Sequence, residues 1–148
     1  MHTDIMKIVP FEKKHLDDVC EIEKVCFSNP WSKKDLENQL NTETSCFIVA
    51  EERGKAVGYM GLQIFYGEGY VTNIAVLPEY RGRGIGEALI RKQLENPMDF
   101  ITLEVRESNL TAMSLYTKTG FERVGVRPNF YSNPTENAVI MTKYFNKE

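Results

Sequence analysis

Residues 45–76 hold three strand-length apolar segments in succession: SCFIVA (45–50), AVGYMGLQIF (56–65) and YVTNIAV (70–76). Only EERGK (51–55) and YGEG (66–69) separate them. Links this short join antiparallel neighbours, because a parallel crossover needs about a dozen residues or more. The middle of the chain is therefore expected to form an antiparallel meander. Pro78 ends its third strand, since proline donates nothing to a ladder. RGRGIG (81–86) then leads directly into Ala88, Leu89, Ile90 and Leu94, which recur at helical spacing up to the Asn96-Pro97 stop.

The flanking segments complete the pattern. DIMKIV (4–9) reads as a short strand, and Phe11 to Cys26 reads as a helix carrying Leu16, Val19, Cys20, Ile22, Val25 and Cys26. Ser32 followed by Asp35 resembles a capping box, opening a second helix through Leu40 after the Pro30 break. FITLEV (100–105) is a strand, and Asn109 caps a helix that closes at Gly120. FERVGVR (121–127) and NAVIMTKYF (137–145) are the last two strands. The order β-α-α-β-β-β-α-β-α-β-β describes a mixed α/β protein with a central, largely antiparallel sheet flanked by helices, not a regular doubly wound fold. No repeat or linker divides it, and 148 residues suit one domain spanning 1–148.

Charge and composition remove several function classes. The formal net charge is −3, and basic residues are balanced by acidic ones almost throughout, which argues against a nucleic-acid partner. Cys20, Cys26 and Cys46 form no CxxC or Cys/His cluster, and His2 and His15 have no neighbouring ligands in sequence, so no metal is expected. No apolar run approaches the ~20 residues of a membrane helix, and the first residues do not resemble a signal peptide, so a cytoplasmic protein with reduced thiols is expected.

RGRGIG sits between a strand and a helix, where unpaired N–H groups and the helix dipole favour an anion. Its glycines allow a phosphate to approach the backbone, though a tight turn needing glycine only for its shape would read the same way. A Walker loop is absent because no Lys-Ser or Lys-Thr follows a glycine. A dinucleotide GxGxxG is also absent: counting from Gly82 or Gly84 puts Glu87 or Leu89 in the last position. In FITLEVRE, Thr102, Glu104 and Arg106 share one face, opposite Ile101, Leu103 and Val105. Glu104 therefore has three readings: paired with Arg106, exposed at an edge, or lining a cleft as a general base. Tyr116 shares a helix stripe with Ala112, Met113 and Gly120, a position typical of a core tyrosine.

NIAVLPEYRGRGIGEALI (73–90) resembles the acetyl-CoA-binding segment of the GCN5-related N-acetyltransferases (GNAT). The resemblance implies that Ile74, Ala75 and Val76 pair with the pantetheine arm. It likewise implies that Arg81, Gly82, Arg83, Gly84, Ile85, Gly86 and Glu87 form the pyrophosphate-binding loop and helix start. LEVRxSNxxAxxLYxxxGF (103–121) is similar to the bacterial ribosomal-protein-alanine N-acetyltransferases within that family. That similarity implies Glu104 as base, Tyr116 as acid and Asn109 as a cofactor contact. FSNPWS (27–32) and NFYSNPTENAVIM (129–141) resemble the subgroup's acceptor elements. Phe130 and Asn137 depart from its usual tyrosine and aspartate, and the 91–100 link is about one turn short. The function so implied is acetyl transfer from acetyl-CoA to a protein N-terminus, the alanine of a small-subunit ribosomal protein. The rivals are another N-terminus, a lysine, a small amine, or a non-catalytic acyl-CoA-binding domain.

Overall fold

The structure, a computed structural model, describes residues 6–145. These form two compact units. One comprises the residues up to Gln63 together with Thr72–Asn96, and the other comprises Ile64–Val71 with the residues from Pro97 onward.

In the first unit, β1 (Lys7–Pro10) pairs antiparallel with β2 (Ile48–Glu52), which pairs antiparallel with β3 (Lys55–Phe65). Positions 4 and 5 of the expected first strand lie outside the described residues. The link between β2 and β3 is only Arg53-Gly54, with φ of 55° and 78°. Two successive left-handed residues give the hairpin turn whose twist matches that of paired strands. The expected five-residue turn is therefore too long, because Glu51, Glu52 and Lys55 continue the strands as charged residues at their ends.

Three helices belong to this unit: α1 (Leu16–Cys26), α2 (Lys33–Gln39) and α3 (Ile85–Gln93). Ser32 and Asp35 form the reciprocal capping box at the start of α2, as the sequence predicts. Helix α1 starts later than expected. Phe11 lies in a loop, where its ring is 6.1 Å from that of Phe47, and a 3-10 turn at Lys13–His15 precedes the helix. His15 is buried; its Nε2 lies 2.5 Å from Glu51 Oε2, and its Nδ1 accepts the Glu12 N–H at 2.9 Å. Helix α3 ends at Gln93, short of Asn96, because the chain tightens into turns in which the Glu95 and Asn96 N–H groups bond the Lys92 and Gln93 carbonyls, while the buried Gln93 amide donates to the Cys46 carbonyl at 2.7 Å. Val19, Ile22, Leu36, Val49, Val57, Met60, Leu62, Leu89 and Ile90 are fully buried. Each such side chain contributes roughly 1.5–3 kcal/mol.

The second unit contains the turn Tyr66-Gly67 (φ 49° and 82°) that joins β3 to β4 (Glu68–Val76), so this hairpin is also two residues long. Here β4 pairs in parallel with β5 (Phe100–Arg106), Glu68–Tyr70 lying opposite Phe100–Thr102. After α4 (Leu110–Lys118) come β6 (Glu122–Tyr131) and β7 (Glu136–Tyr144); β7 pairs antiparallel with both β5 and β6. Strand β6 runs four residues beyond the expected end at Arg127, through Pro128. It can do so because it is an edge strand, where a missing N–H donor is tolerated and register shifts are common.

Candidate active site

Two groups of residues carry the chemistry the sequence points to, one in each unit. In the first unit, Ala75 is buried and Ile74 and Val76 are half-buried. A 3-10 turn at Pro78–Tyr80 follows, then Arg81–Gly84, and Gly84 is the N-cap of α3. Gly82 and Gly84 hold φ of 78° and 80°, a region costly for side chains, and a methyl group built on either would meet no atom within 4 Å. The glycines are thus required by backbone shape, and the space before them is open, as a bulky anion needs. Gly86 and Glu87 fall inside the first turn of α3. The first bond back into the helix is Ala88 N–H to the Gly84 carbonyl at 3.0 Å, so the preceding N–H groups, those of Ile85, Gly86 and Glu87, have no intrahelical acceptor. The Ile85 side chain is buried in the core, which leaves its backbone for any ligand.

The loop arginines are held differently. Arg81 turns back, its Nε donating to the Val76 carbonyl at 2.8 Å and its Nη2 lying 3.5 Å from Cys26 Sγ. Arg83 stacks on Tyr80, 5.0 Å from the ring centre, and sits 3.5 Å from Glu52. Glu87 pairs with Arg91 at 2.8 Å. All three cysteines are free, and burial pushes each thiol upward in pKa.

The same unit holds a feature without a sequence signal. Glu23 of α1 is 1% exposed and accepts from Trp31 N–H (2.7 Å), Asn73 Nδ2 (3.2 Å) and the Tyr59 hydroxyl. Asn73 Oδ1 is buried without a partner among the described residues. Flipping the amide would turn an oxygen toward the carboxylate, so the orphan is the lesser cost. Burial, with Glu23 beside it, drives the Tyr59 phenol far above its ordinary pKa. The network fixes the FSNPWS loop at its Trp31 end.

In the second unit, Glu104 lies opposite Ile140 on β7 and pairs with Arg127 of β6, Nε to Oε2 at 3.0 Å. The same-strand pairing with Arg106 does not occur. Arg106 pairs instead with Glu136 at 3.1 Å and stacks on Tyr131, 4.6 Å from its ring centre. Burial, then the Glu104 charge, pushes the Tyr131 hydroxyl up to about 12. Tyr116 is buried against Phe121, with ring centres 5.7 Å apart, and burial followed by Tyr131 raises its pKa as well. The Glu104 charge thus acts on Tyr131, and Tyr131 on Tyr116. Asn109 caps α4, its Oδ1 accepting Ala112 N–H at 3.2 Å. Asn137 accepts the Asn129 N–H at 2.9 Å, a bond that an aspartate would also make. Phe130 packs edge-on against Tyr131 at 5.0 Å. Arg127 and Tyr131 escape a reading by spacing; Tyr131 had only its place in NFYSNPTENA as a signal. Among the described residues no helix is long and apolar enough to cross a membrane, and no His, Cys, Asp and Glu group is arranged to hold a metal ion.

A glycine-opened helix start in one unit, and a strand carboxylate followed by a helix with a buried tyrosine in the other, fit an acyl-transfer enzyme. The chain belongs to the acetyltransferase (GNAT) family, whose model matches residues 16–121, and it is an acetyltransferase. Its relatives include the ribosomal protein bS18-alanine N-acetyltransferase of Haemophilus influenzae, 37% identical over 131 residues covering 84% of this chain and 88% of the relative. The N-alpha-acetyltransferase RimI of Mycobacterium tuberculosis is 33% identical over 120 residues, covering 78% of this chain and 76% of that one. The crystal structure of the ribosomal-protein-S18-alanine N-acetyltransferase of Escherichia coli superposes with a TM-score of 0.89 at 28% identity, covering 97% of this chain and 96% of that one.

Proposed function

We propose that this enzyme transfers acetyl from acetyl-CoA to the α-amine of a protein N-terminus, the alanine of a small-subunit ribosomal protein being the acceptor its relatives favour. The observation that carries the proposal is the Glu104 carboxylate on β5 in a chain whose acetyltransferase family model matches residues 16–121 and whose relatives include N-terminal alanine acetyltransferases. Acetyl-CoA supplies an activated thioester. The first-turn N–H groups of Ile85, Gly86 and Glu87, behind the glycine turn of Arg81–Gly84, are available to its pyrophosphate, the strand backbone around Ile74–Val76, apart from the Val76 carbonyl that Arg81 occupies, to the pantetheine arm, and Asn109 is a further contact.

An α-amine has a pKa of about 8 and arrives largely protonated. Glu104 accepts that proton, directly or through water, so that nitrogen attacks the acetyl carbonyl as the carbon–sulfur bond breaks. Tyr116, whose pKa burial raises, keeps its proton until it donates to the departing sulfur to give the free thiol; the second proton of the acylated nitrogen then passes through water to the Tyr116 oxygen, leaving a neutral amide. Transfer is direct: the three thiols are held protonated by burial and lack an adjacent base.

The test is release of free coenzyme A with an alanine-ended ribosomal peptide, its N-terminally blocked form and a lysine peptide as acceptors. Glu104→Gln and Tyr116→Phe are each expected to lose about 10²–10⁴ in turnover while retaining acetyl-CoA affinity. Unchanged turnover in both removes the assigned roles, and equal activity on the blocked peptide removes the α-amine as acceptor.

A further inference from the structure

Arg106 lies two residues beyond Glu104 on the same face of β5 and makes more contacts than an incidental surface cation would. Its Nη1 donates to the Pro134 carbonyl at 3.0 Å and pairs with Glu136 Oε1 at 3.1 Å. Its Nη2 donates to the Ser132 carbonyl at 3.0 Å, and the guanidinium plane covers Tyr131. The second oxygen of Glu136 accepts the Ser108 N–H at 2.6 Å. Ser108 immediately precedes Asn109, the cap of the helix that carries Tyr116. One guanidinium therefore ties together the end of β5, the turn between β6 and β7, and the approach to α4.

We infer that Arg106 is a positioning residue for the proposed acetyl transfer: it sets the Tyr131 ring and the 132–135 turn, and so shapes the acceptor-binding surface beside Glu104. The inference rests on the function proposed above. Ser132, Asn133, Pro134 and Thr135 are exposed and mostly polar, so the turn has little apolar packing to hold it. Its carbonyls are held by Arg106, which places Ser132 and Pro134 at a fixed distance from β5. The geometry requires arginine. A planar fork reaches two carbonyls and a carboxylate while its face covers an aromatic ring; an ammonium can meet the carboxylate but cannot do both. Arg106 does not touch the reacting atoms in this scheme, because its donors are directed to the turn and to Glu136.

Arg106→Lys separates this role from simple stabilisation, since it retains a cation opposite Glu136 and loses the fork and the stack. Expected are a rise of about tenfold or more in the KM for the alanine-ended peptide, a kcat within about threefold of wild type, and unchanged acetyl-CoA affinity. In a Tyr131→Leu background the same substitution is expected to raise KM by a clearly smaller factor than in wild type, because the stacking part of its effect is already gone while the turn contacts remain. A KM unchanged by Arg106→Lys overturns the inference, as does full additivity with Tyr131→Leu. Amide hydrogen exchange of residues 131–136 supplies a readout without substrate: it should accelerate in Arg106→Lys, and unaltered exchange overturns the clamp regardless of activity. A wild-type enzyme that acetylates no N-terminal peptide, yet shows accelerated exchange in the variant, sinks the proposed function and leaves the clamp standing.

Discussion

Replacing Glu23 by glutamine is the most direct perturbation of the buried network beneath the FSNPWS loop. The carboxylate accepts from three donors, Trp31 N–H, Asn73 Nδ2 and the Tyr59 hydroxyl. Glutamine keeps the volume and one acceptor oxygen but brings an NH₂ that must face at least one of those donors. If the oxygen stays with Tyr59 and Asn73, Trp31 N–H loses its partner, at a cost of about 1–3 kcal/mol. Removing a buried charge offsets part of this, so the prediction is a net loss of about 1–2 kcal/mol with the damage localised at Trp31. That is a measurable share of the roughly 5–15 kcal/mol that stabilises a typical domain. Trp31 is the sole tryptophan of the chain, so its fluorescence reports on the loop directly. Urea unfolding followed by Trp31 emission should shift to a lower midpoint with an unchanged slope, and acrylamide should quench the native variant more readily. A midpoint and a quenching constant both equal to wild type would refute the claim that Glu23 holds the loop.

Other outcomes follow from features already described. Gly84→Ala should destabilise by about 1–2 kcal/mol, the cost of a left-handed side chain, and should weaken acetyl-CoA binding measured by calorimetry, with no clash to blame because the added methyl meets nothing. Arg127→Gln removes a cation whose side chain is 58% exposed, so thermal unfolding should move by less than about 1 kcal/mol. The Glu51 carboxyl is held below its usual pKa, first by its bond to His15. A depressed carboxyl stabilises the fold above its unfolded pKa of about 4.3. That contribution is lost as pH falls through the lower folded value. The stability gap between wild type and Glu51→Gln should therefore be present at pH 7 and close below about pH 4, as read by denaturation at several pH values.

Much of the fold was legible because it depends on local chemistry. Ser32 with Asp35, Asn109 before its helix, and the alternation that puts Glu104 opposite Leu103 and Val105 each rest on residues within one turn or one strand. What stayed hidden depends on strands far apart in sequence. Arg127 reaches Glu104 only because β7 lies between β6 and β5, so the nearer Arg106 was the natural but wrong partner. The two hairpin turns are shorter than expected for a local reason. Glu51, Glu52 and Lys55 look like turn residues because they are charged, yet nothing prevents charge at the rim of a sheet. The strand expected to stop at Arg127 runs on through Pro128 because an edge strand accommodates proline. Glu23 sat on the apolar stripe of α1 with no hint that three donors from Trp31, Tyr59 and Asn73 would converge on it.

The two-residue turns at Arg53-Gly54 and Tyr66-Gly67 leave no slack in the count between strands. Because strand side chains alternate, one inserted residue at Tyr66-Gly67 would shift the parity of β4, exchanging the buried setting of Ala75 for those of Ile74 and Val76. Length changes there are expected to survive only in even steps, or where a bulge absorbs the odd one. The meander thus acts as a reading frame, and variation among enzymes built this way should accumulate in segments that do not set strand parity, such as residues 27–32, which join two helices.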